Sequence, residues 1–291
     1  MQYNKPEITE EVIKQINELI KDNPGWNRTR LSKSLCEIWG WRNPNGQVKD
    51  ISCRDMLRAL DKEGRIKLPE KTKPSRQAGE KMKIKHICHD TAPVKCDLKG
   101  LLPLDIAVVC TGPEMDEFKS LLDQYHYLGF DRTVGENMKY MVRSRGGTLL
   151  SCLLYGSAAW ACKDRDSYIG WDAAQRKKGL PYMTNNTRFL IPPWVTVPHL
   201  ASHILGQVAR RVSKDWGARY GHGLYCLETF VERGRFRGTC YKAANWQHVG
   251  LTTGRGRNSV HAYAVLPQKD VYLYPLTTGF RRMLADVKEV F

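Results

Sequence analysis

The feature that most constrains the fold is an apolar run, Leu224–Val231, followed by a stretch of mixed polarity, Gly238–Gly250. The apolar run predicts a buried strand. The second stretch predicts a helix that leads into another strand, because its apolar and polar residues alternate at near-helical spacing. Gly250 stands where a helix-ending residue in the left-handed conformation is expected. The apolar positions of the predicted helix are Tyr241, Ala244 and Val249, and its polar positions are Lys242, Asn245 and His248.

A basic loop is expected directly after this unit, where Arg255 and Arg257 alternate with glycines. Glycine lets a backbone approach a ligand closely, and guanidinium groups suit phosphate. We therefore expect both arginines to contact phosphate, with a solvated turn as the alternative. The loop indicates a polyanionic partner.

The overall charge points to the same class of partner. The chain has 291 residues, 42% of them apolar, which is ordinary for a folded protein with a core. Its 46 Lys and Arg outnumber its 30 Asp and Glu, which gives a formal charge of +16. Such a surplus attracts nucleic acid, and we expect DNA. A membrane is not expected, because no apolar stretch approaches the roughly 20 residues that a spanning helix needs. The first residues show no signal peptide, so a cytoplasmic protein is predicted.

Residues 1–70 are predicted to form a winged helix-turn-helix domain that binds DNA. Helical periodicity covers residues 8–21, 27–38 and 52–63, and an extended piece follows at Arg65–Pro69. The third helix would then lie in the major groove. A generic three-helix bundle is the alternative. The basic residues that we expect to contact DNA here are Arg28, Arg30, Arg54, Arg58 and Lys62.

A basic, proline-containing linker is predicted over residues 71–100, and one α/β domain over residues 101–291. In that domain we expect a helix at Glu114–Tyr125, a helix from about Pro198 and a series of strands. The long helix should bury one face and present a basic face that includes His203. The predicted strands are Lys139–Ser144, Thr148–Tyr155, Ser157–Ala161 and Thr187–Val195, the last interrupted by two prolines. The buried positions expected on the long helix are Leu200, Ile204, Leu205, Val208, Val212 and Trp216.

Four residues are candidates for catalysis. Glu228 lies inside an apolar strand, where a carboxylate is costly unless it is paired or used; it is either a general base or the partner of Arg188. His126 stands between two tyrosines and is a proton carrier, a base-stacking group or a structural residue. Cys240 and Tyr241 are nucleophile types at a helix start, where the dipole would lower a thiol pKa; buried packing is the alternative.

Further polar residues of this domain are candidates for nucleic-acid contacts. They are Arg188, His203, Lys242 and Asn245, in addition to Arg255 and Arg257.

The nine cysteines favour reduced thiols in a reducing compartment, since most of them lie in apolar runs. One cluster offers zinc-ligand types, but its spacing matches no standard zinc motif, and we predict no metal site there. Its members are His86, Cys88, His89 and Cys96.

Two family resemblances follow from these segments. The order of helices and strands resembles the GCN5-related N-acetyltransferase (GNAT) fold. The amino-acid sequences of several motifs, together with Trp39–Arg42 and Gly64–Pro69, resemble those of the Druantia anti-phage protein A (DruA) family. These motifs are Tyr125–Gly129, Arg188–Ile191, Leu200–Leu205, Glu228–Val231, Gly238–Trp246 and Thr252–Arg257. The resemblance implies a GNAT-like α/β domain with a mixed sheet. With the winged helix-turn-helix predicted from the periodicity of residues 1–70, the expected fold class is α+β.

The resemblance leaves the cofactor open. A GNAT enzyme binds the pyrophosphate of acetyl-CoA on free N–H groups at a helix start. Here that turn would be Val195–Ser202, in which Pro198 removes a donor and no glycine occurs. Phage DNA-modifying proteins of the Mom type, whose last helix is similar to Gly238–Trp246, share this departure.

Three functions remain open at this point. The first is a DNA-binding and DNA-processing protein of an anti-phage defence or mobile-element system. The second is a base-modifying or acyl-transferring enzyme that uses a CoA-like or nucleotide donor. The third is a non-catalytic accessory of a transposase. DNA, proteins of a defence operon and a transposase are the expected partners.

Overall fold

The computed structural model describes residues 6–42, 47–70, 82–254 and 266–287. The chain divides into two compact units, one up to Glu80 and one from Lys81 to Val287. This division falls within the stretch predicted as a linker. Arg255 and Arg257 lie outside the described residues.

The N-terminal unit contains three helices packed around one core. Thr9 caps the first helix by accepting the Val12 N–H, and the Asn27 side chain caps the second by accepting two backbone N–H groups. The inward positions predicted for the third helix, Met56, Leu57 and Leu60, are buried. The helices are α1 (Glu10–Asp22), α2 (Arg28–Ile38) and α3 (Asp50–Lys62).

The predicted wing is not found in the described part of this unit. Residues 65–70 form no strand, and the β-structure described before residue 71 is a single antiparallel bridge between Arg42 and Val48. Instead, Ile66 and Leu68 pack into the helical core, and the Leu68 N–H donates to Asp61 at 3.0 Å. The tail is therefore a packed extension of a three-helix unit, because its apolar residues are needed to cover the core.

The larger unit is built on a seven-stranded sheet with the order β2-β3-β4-β5-β7-β9-β8, and a parallel pair, β1-β6, lies outside it. The strands are β1 (Val94–Lys95), β2 (Asp105–Val108), β3 (Met138–Arg143), β4 (Leu149–Ser157), β5 (Met183–Leu190), β6 (Val195–Thr196), β7 (Cys226–Glu232), β8 (Gln247–Leu251) and β9 (Lys269–Pro275). The α-helices are α4 (Pro113–Tyr125), α5 (Lys163–Ile169), α6 (Ala173–Gly179), α7 (Leu200–Tyr220), α8 (Thr239–Ala243) and α9 (Phe280–Ala285).

The seven-stranded sheet is mixed, as predicted, and helices lie on both of its faces. β5 and β7 are parallel, whereas every other neighbouring pair is antiparallel. Along β4, Leu153 and Tyr155 belong to the core that contains α7, while Cys152 and Leu154 belong to the core that contains α4. This alternation follows from the two-residue period of a strand. All six inward positions predicted for α7 are buried, which confirms its apolar face.

Two predicted elements differ. The helix expected up to Gly250 ends at Ala243 and β8 begins at Gln247, because Asn245 takes the left-handed conformation with φ 64° and reverses the chain. Gly250 lies inside β8 with φ 148°, where a side chain would collide with the Asp164 carboxylate. The strand expected at Ser157–Ala161 is a loop after Ser157.

The second half of the predicted linker, residues 82–100, packs against the larger unit. Val94 and Lys95 pair with Val195 and Thr196 as strands β1 and β6. The ring of His89 stacks on Trp194 at a centroid distance of 5.3 Å. This stretch is therefore part of the folded unit.

No α-helix in the described ranges combines the length and the apolar character that a membrane span requires.

Candidate functional site

The parallel strands β5 and β7 separate after a short junction. They pair only over Met183–Asn185 and Cys226–Glu228, although both strands continue. Beyond the junction, side chains join them. The Thr229 hydroxyl donates to the Asn186 carbonyl at 3.0 Å, and the Tyr241 hydroxyl, which comes from α8, donates to Asn186 Oδ1 at 2.7 Å.

The backbone acceptors of β5 in this split already have partners. Besides the Asn186 carbonyl, the Thr187 carbonyl accepts from Arg188 Nη1 at 2.8 Å. The Arg188 carbonyl accepts from Asn186 Nδ2 at 3.1 Å. An extended ligand that binds by adding to a strand needs free backbone groups, so these contacts disfavour such a ligand here.

The segment that follows α4 lies at the carboxyl end of β5. Arg188 Nε donates to the Gly129 carbonyl at 2.8 Å and so joins β5 to residues 126–129. In this segment the Leu128 N–H donates to His126 Nδ1 at 3.2 Å, which leaves the proton of the neutral imidazole on Nε2. Burial and the nearby Arg188 charge lower the pKa of His126 to about 4. His126 is therefore uncharged at pH 7 and can act there by stacking and hydrogen bonding.

A second loop meets this segment from the end of β7. Residues 233–238 read Arg-Gly-Arg-Phe-Arg-Gly. The Arg235 guanidinium lies 4.8 Å from the centroid of the Tyr127 ring, and the Phe236 ring lies 5.3 Å from it. Tyr127 is 36% exposed and Phe236 is 46% exposed. We call Tyr127, Arg235 and Phe236 the aromatic patch.

The arginines of this loop are largely available to a ligand. Arg233 pairs with Asp270 at 3.0 Å and Arg235 with Glu232 at 3.7 Å, yet both side chains are about half exposed. Arg237 is exposed and belongs to no ion pair in the part of the chain that the structure describes. This loop was not among the predicted site residues. Its signal was present, since three arginines alternate with glycine and phenylalanine within six residues.

Glu228 is fully buried and both of its carboxylate oxygens are bonded. Oε2 accepts from Arg165 Nη1 at 2.8 Å, and Oε1 accepts the Ala159 N–H at 2.6 Å. The partner is thus Arg165 of α5, and not Arg188 as the sequence suggested; Arg188 instead binds backbone carbonyls. Burial raises the pKa of Glu228, and the Arg165 charge opposes that shift.

Arg165 extends this pair into a buried network that sequence reasoning missed. Its Nε donates to Asp166 Oδ1 at 2.8 Å, and its Nη1 also donates to the Ala159 carbonyl at 2.7 Å. Asp166 additionally accepts from Trp171 Nε1 at 3.0 Å and from Arg176 Nη1 at 3.2 Å. The network fixes the loop after β4, on which Trp160 is 58% exposed.

Neither the Cys240 thiol nor the Tyr241 hydroxyl is an activated nucleophile. Burial raises the pKa of Cys240, so the predicted lowering by the helix dipole is wrong; α8 has only five residues. Tyr241 is buried, and burial raises its pKa well above the ordinary value. Its hydroxyl joins the split strands, which is a structural role.

The remaining candidates for nucleic-acid contacts differ in how exposed they are and in whether another group of the protein binds them. In the larger unit, Lys242 and Asn245 are exposed, and His203 is half-buried beside Gln207. In the N-terminal unit, Lys62 is exposed and Arg30 lies over the Trp26 ring. The other three are held by protein acceptors: Arg28 by the Pro69 carbonyl, Arg54 by Asp50 and Arg58 by Asp55.

The two histidines among the possible zinc ligands have other partners. His86 contacts Asp123 at 2.8 Å, and His89 contacts the Tyr125 hydroxyl at 3.0 Å. Within the described ranges, no group of three or more His, Cys, Asp or Glu side chains could hold a metal ion. All nine cysteines are free thiols.

These features define a mixed α+β protein whose central sheet carries a split parallel pair, with an aromatic and basic surface where that pair ends. The chain belongs to the family of Druantia protein DruA, whose model matches residues 57–266. Druantia is an antiviral defence system.

Comparison with curated proteins finds no match in sequence. Among solved structures, spermidine/spermine N-acetyltransferase SpeG from Vibrio cholerae is 7% identical, with a TM-score of 0.39 over 62% of this chain and 96% of its own. A protein assigned as an acetyltransferase from Acinetobacter baylyi is 9% identical, with a TM-score of 0.40 over 60% of this chain and 93% of its own. One assigned as an acyl-CoA N-acyltransferase from Klebsiella pneumoniae is 12% identical, with a TM-score of 0.38 over 60% and 99%.

Proposed function

We propose that this protein binds DNA in the bacterial cytoplasm as part of anti-phage defence, and that the loop 233–238 and the aromatic patch form the contact surface. The observation that carries the proposal is the placement of the exposed Tyr127 and Phe236 rings against Arg235. Exposed rings next to guanidinium groups suit nucleic acid, because bases stack on the rings while arginine binds phosphate.

The position of this surface in the fold supports the proposal. Ligands of α/β sheets bind beyond the carboxyl ends of parallel strands, and the loop 233–238 follows the carboxyl end of β7. The formal charge of +16 adds long-range attraction for a polyanion. Arg255 and Arg257 are proposed as further phosphate contacts. In the N-terminal unit, Arg30 and Lys62 are the most available of the five candidates, because both are exposed, whereas Arg28 is held by a backbone carbonyl and Arg54 and Arg58 by carboxylates.

The structure favours binding over group transfer. Acyl transfer or base modification needs a donor site and an activated group. The turn before α7 contains Pro198, which has no N–H, and the backbone acceptors of β5 in the split are taken by side chains. Burial raises the pKa of the Cys240 thiol, which keeps it protonated. The enzyme and the transposase accessory remain the alternatives. Thermal stabilisation by acetyl-CoA would support the enzyme.

A salt titration of DNA affinity tests the proposal. We expect the variant Arg235→Glu/Arg237→Glu to bind duplex DNA more weakly, and the slope of log K against log salt to fall by about one for each lost phosphate contact. Arg281→Glu/Arg282→Glu is the matched control, because it changes the net charge by the same amount, both arginines are exposed, and Arg281 also lies over an aromatic ring, 4.0 Å from the centroid of Tyr168. Affinity that does not depend on salt, or equal losses in both variants, would contradict the proposal.

A further inference from the structure

The aromatic patch offers ring surface that phosphate binding does not require. Arginine alone can hold the backbone of a duplex, so the exposed Tyr127 and Phe236 rings offer surface for a second kind of contact. The ring planes of Tyr127 and Phe236 meet at 61°. The His126 ring also neighbours Tyr127, with 4.9 Å between the ring centroids. Three adjacent rings therefore line one side of this surface.

In an intact duplex the bases are stacked on each other and present only their edges in the grooves, so a ring can contact those edges but cannot stack on a base face unless base pairs are opened or unstacked. An unpaired base exposes its face and can stack on an aromatic side chain. His126 adds a neutral imidazole at pH 7, whose Nε2–H can donate to the edge of such a base.

Arginines alternate with the aromatic side chains of this surface. Arg235 lies over Tyr127, and Arg237 follows Phe236 directly in the loop. Alternation of cationic and aromatic side chains suits a single strand, in which successive bases stack while the phosphates follow a basic track.

We propose that the aromatic patch binds unpaired nucleotides, so that the preferred ligand is DNA with a single-stranded segment. This inference rests on the proposed function, because it specifies which form of DNA the same surface takes.

The experiment compares two DNA ligands of the same sequence length, a fully paired duplex and a duplex with a central unpaired bubble that contains 2-aminopurine. The proteins are the full chain and the variants Tyr127→Ala/Phe236→Ala, Tyr127→Phe/Phe236→Tyr and Trp160→Ala. We expect the full chain to bind the bubble at least about tenfold more tightly than the duplex, since one stacked base contributes about that factor. Stacking should also change the 2-aminopurine fluorescence.

The variants separate stacking from other effects. The double alanine variant should lose the preference for the bubble and the fluorescence change, and its affinity should fall further on the bubble than on the duplex, to which the arginines still bind. The ring-retaining variant and Trp160→Ala, which removes an exposed ring from another loop, should behave as the unmodified chain. The thermal unfolding midpoint of each variant checks that it is folded.

Two results would overturn the inference while leaving DNA binding intact: equal affinity of the unmodified chain for bubble and duplex, or equal losses on both ligands in the alanine variant. Salt-independent binding, or none to either ligand, would reject the proposed function itself.

Discussion

At the scale of single residues, His126 couples stability to pH. Its folded-state pKa is lowered from 6.5 to about 4, so between these values the unfolded chain binds the proton more strongly. The contribution of the neutral His126 side chain to the free energy of unfolding is fully present above pH 6.5, and it is lost as the pH falls towards 4. At pH 5 the loss is at most about 2 kcal/mol, and partial exposure of the ring reduces it.

Urea unfolding at pH 7 and pH 5 measures this effect. The variant His126→Gln keeps a hydrogen-bonding side chain without a titrating group, so it should lose less stability than the unmodified chain over that interval. Parallel losses in both proteins would show that His126 is not the titrating group.

The buried pair of Glu228 and Arg165 predicts a larger effect. Glu228→Ala leaves the Arg165 guanidinium without one of its carboxylates in a site that water does not reach. Because Asp166 still faces Arg165, we expect a loss near the lower end of the range for broken buried pairs, about 3 kcal/mol in the free energy of unfolding.

Replacement of both partners, Glu228→Leu with Arg165→Met, should recover part of that stability, since neither charge of the pair is then left buried and Asp166 keeps Arg176 as a partner. Chemical denaturation gives both values. A loss below about 1 kcal/mol for Glu228→Ala would mean that water enters the site.

At the scale of elements, Gly238 connects the loop 233–238 to α8. It has φ 66°, and a Cβ atom there would lie 2.5 Å from the Tyr272 hydroxyl oxygen. Gly238→Ala should therefore destabilise the protein by about 2 kcal/mol, from backbone strain together with the collision. Because the loop would have to shift, DNA affinity should fall as well.

Gly234→Ala is the matched control, since Gly234 belongs to the same loop and its added Cβ would meet nothing within 4 Å. Thermal unfolding and DNA titration of the two variants check the prediction. A similar change in stability in both would show that the backbone strain and the collision at Gly238 have no measurable cost.

Some helices and loops could be predicted from the sequence, and others could not. The helix α7 was predictable because its apolar residues repeat over 21 residues and its buried face needs only that period. The end of α8 was not, because it depends on Asn245 adopting a left-handed conformation. The loop after β4 looked like a strand, but its backbone at Ala159 is bound by Glu228 and Arg165, and this depends on residues far away in sequence.

At the scale of the whole molecule, family membership and the mixed sheet were predictable, whereas the candidate site was predicted only in part. His126 and Arg188 do lie at the end of the split strands. The role of loop 233–238 was not predictable, because its contacts with Tyr127 join residues that are far apart in sequence. Arg165 was missed because an arginine between two aspartates reads as a surface charge, although it is fully buried.

The short junction between β5 and β7 divides the large sheet into two ribbons, β2-β3-β4-β5 and β7-β9-β8. Glu228 lies at the last pair of that junction, opposite Asn185, and its carboxylate holds Ala159, which follows β4 on the other ribbon. The Glu228 side chain thus comes from the junction and also connects the two ribbons. Its carboxylate therefore adds a buried bond between the two ribbons to the backbone pairs of the junction and to the bonds of the Thr229 and Tyr241 hydroxyls with Asn186.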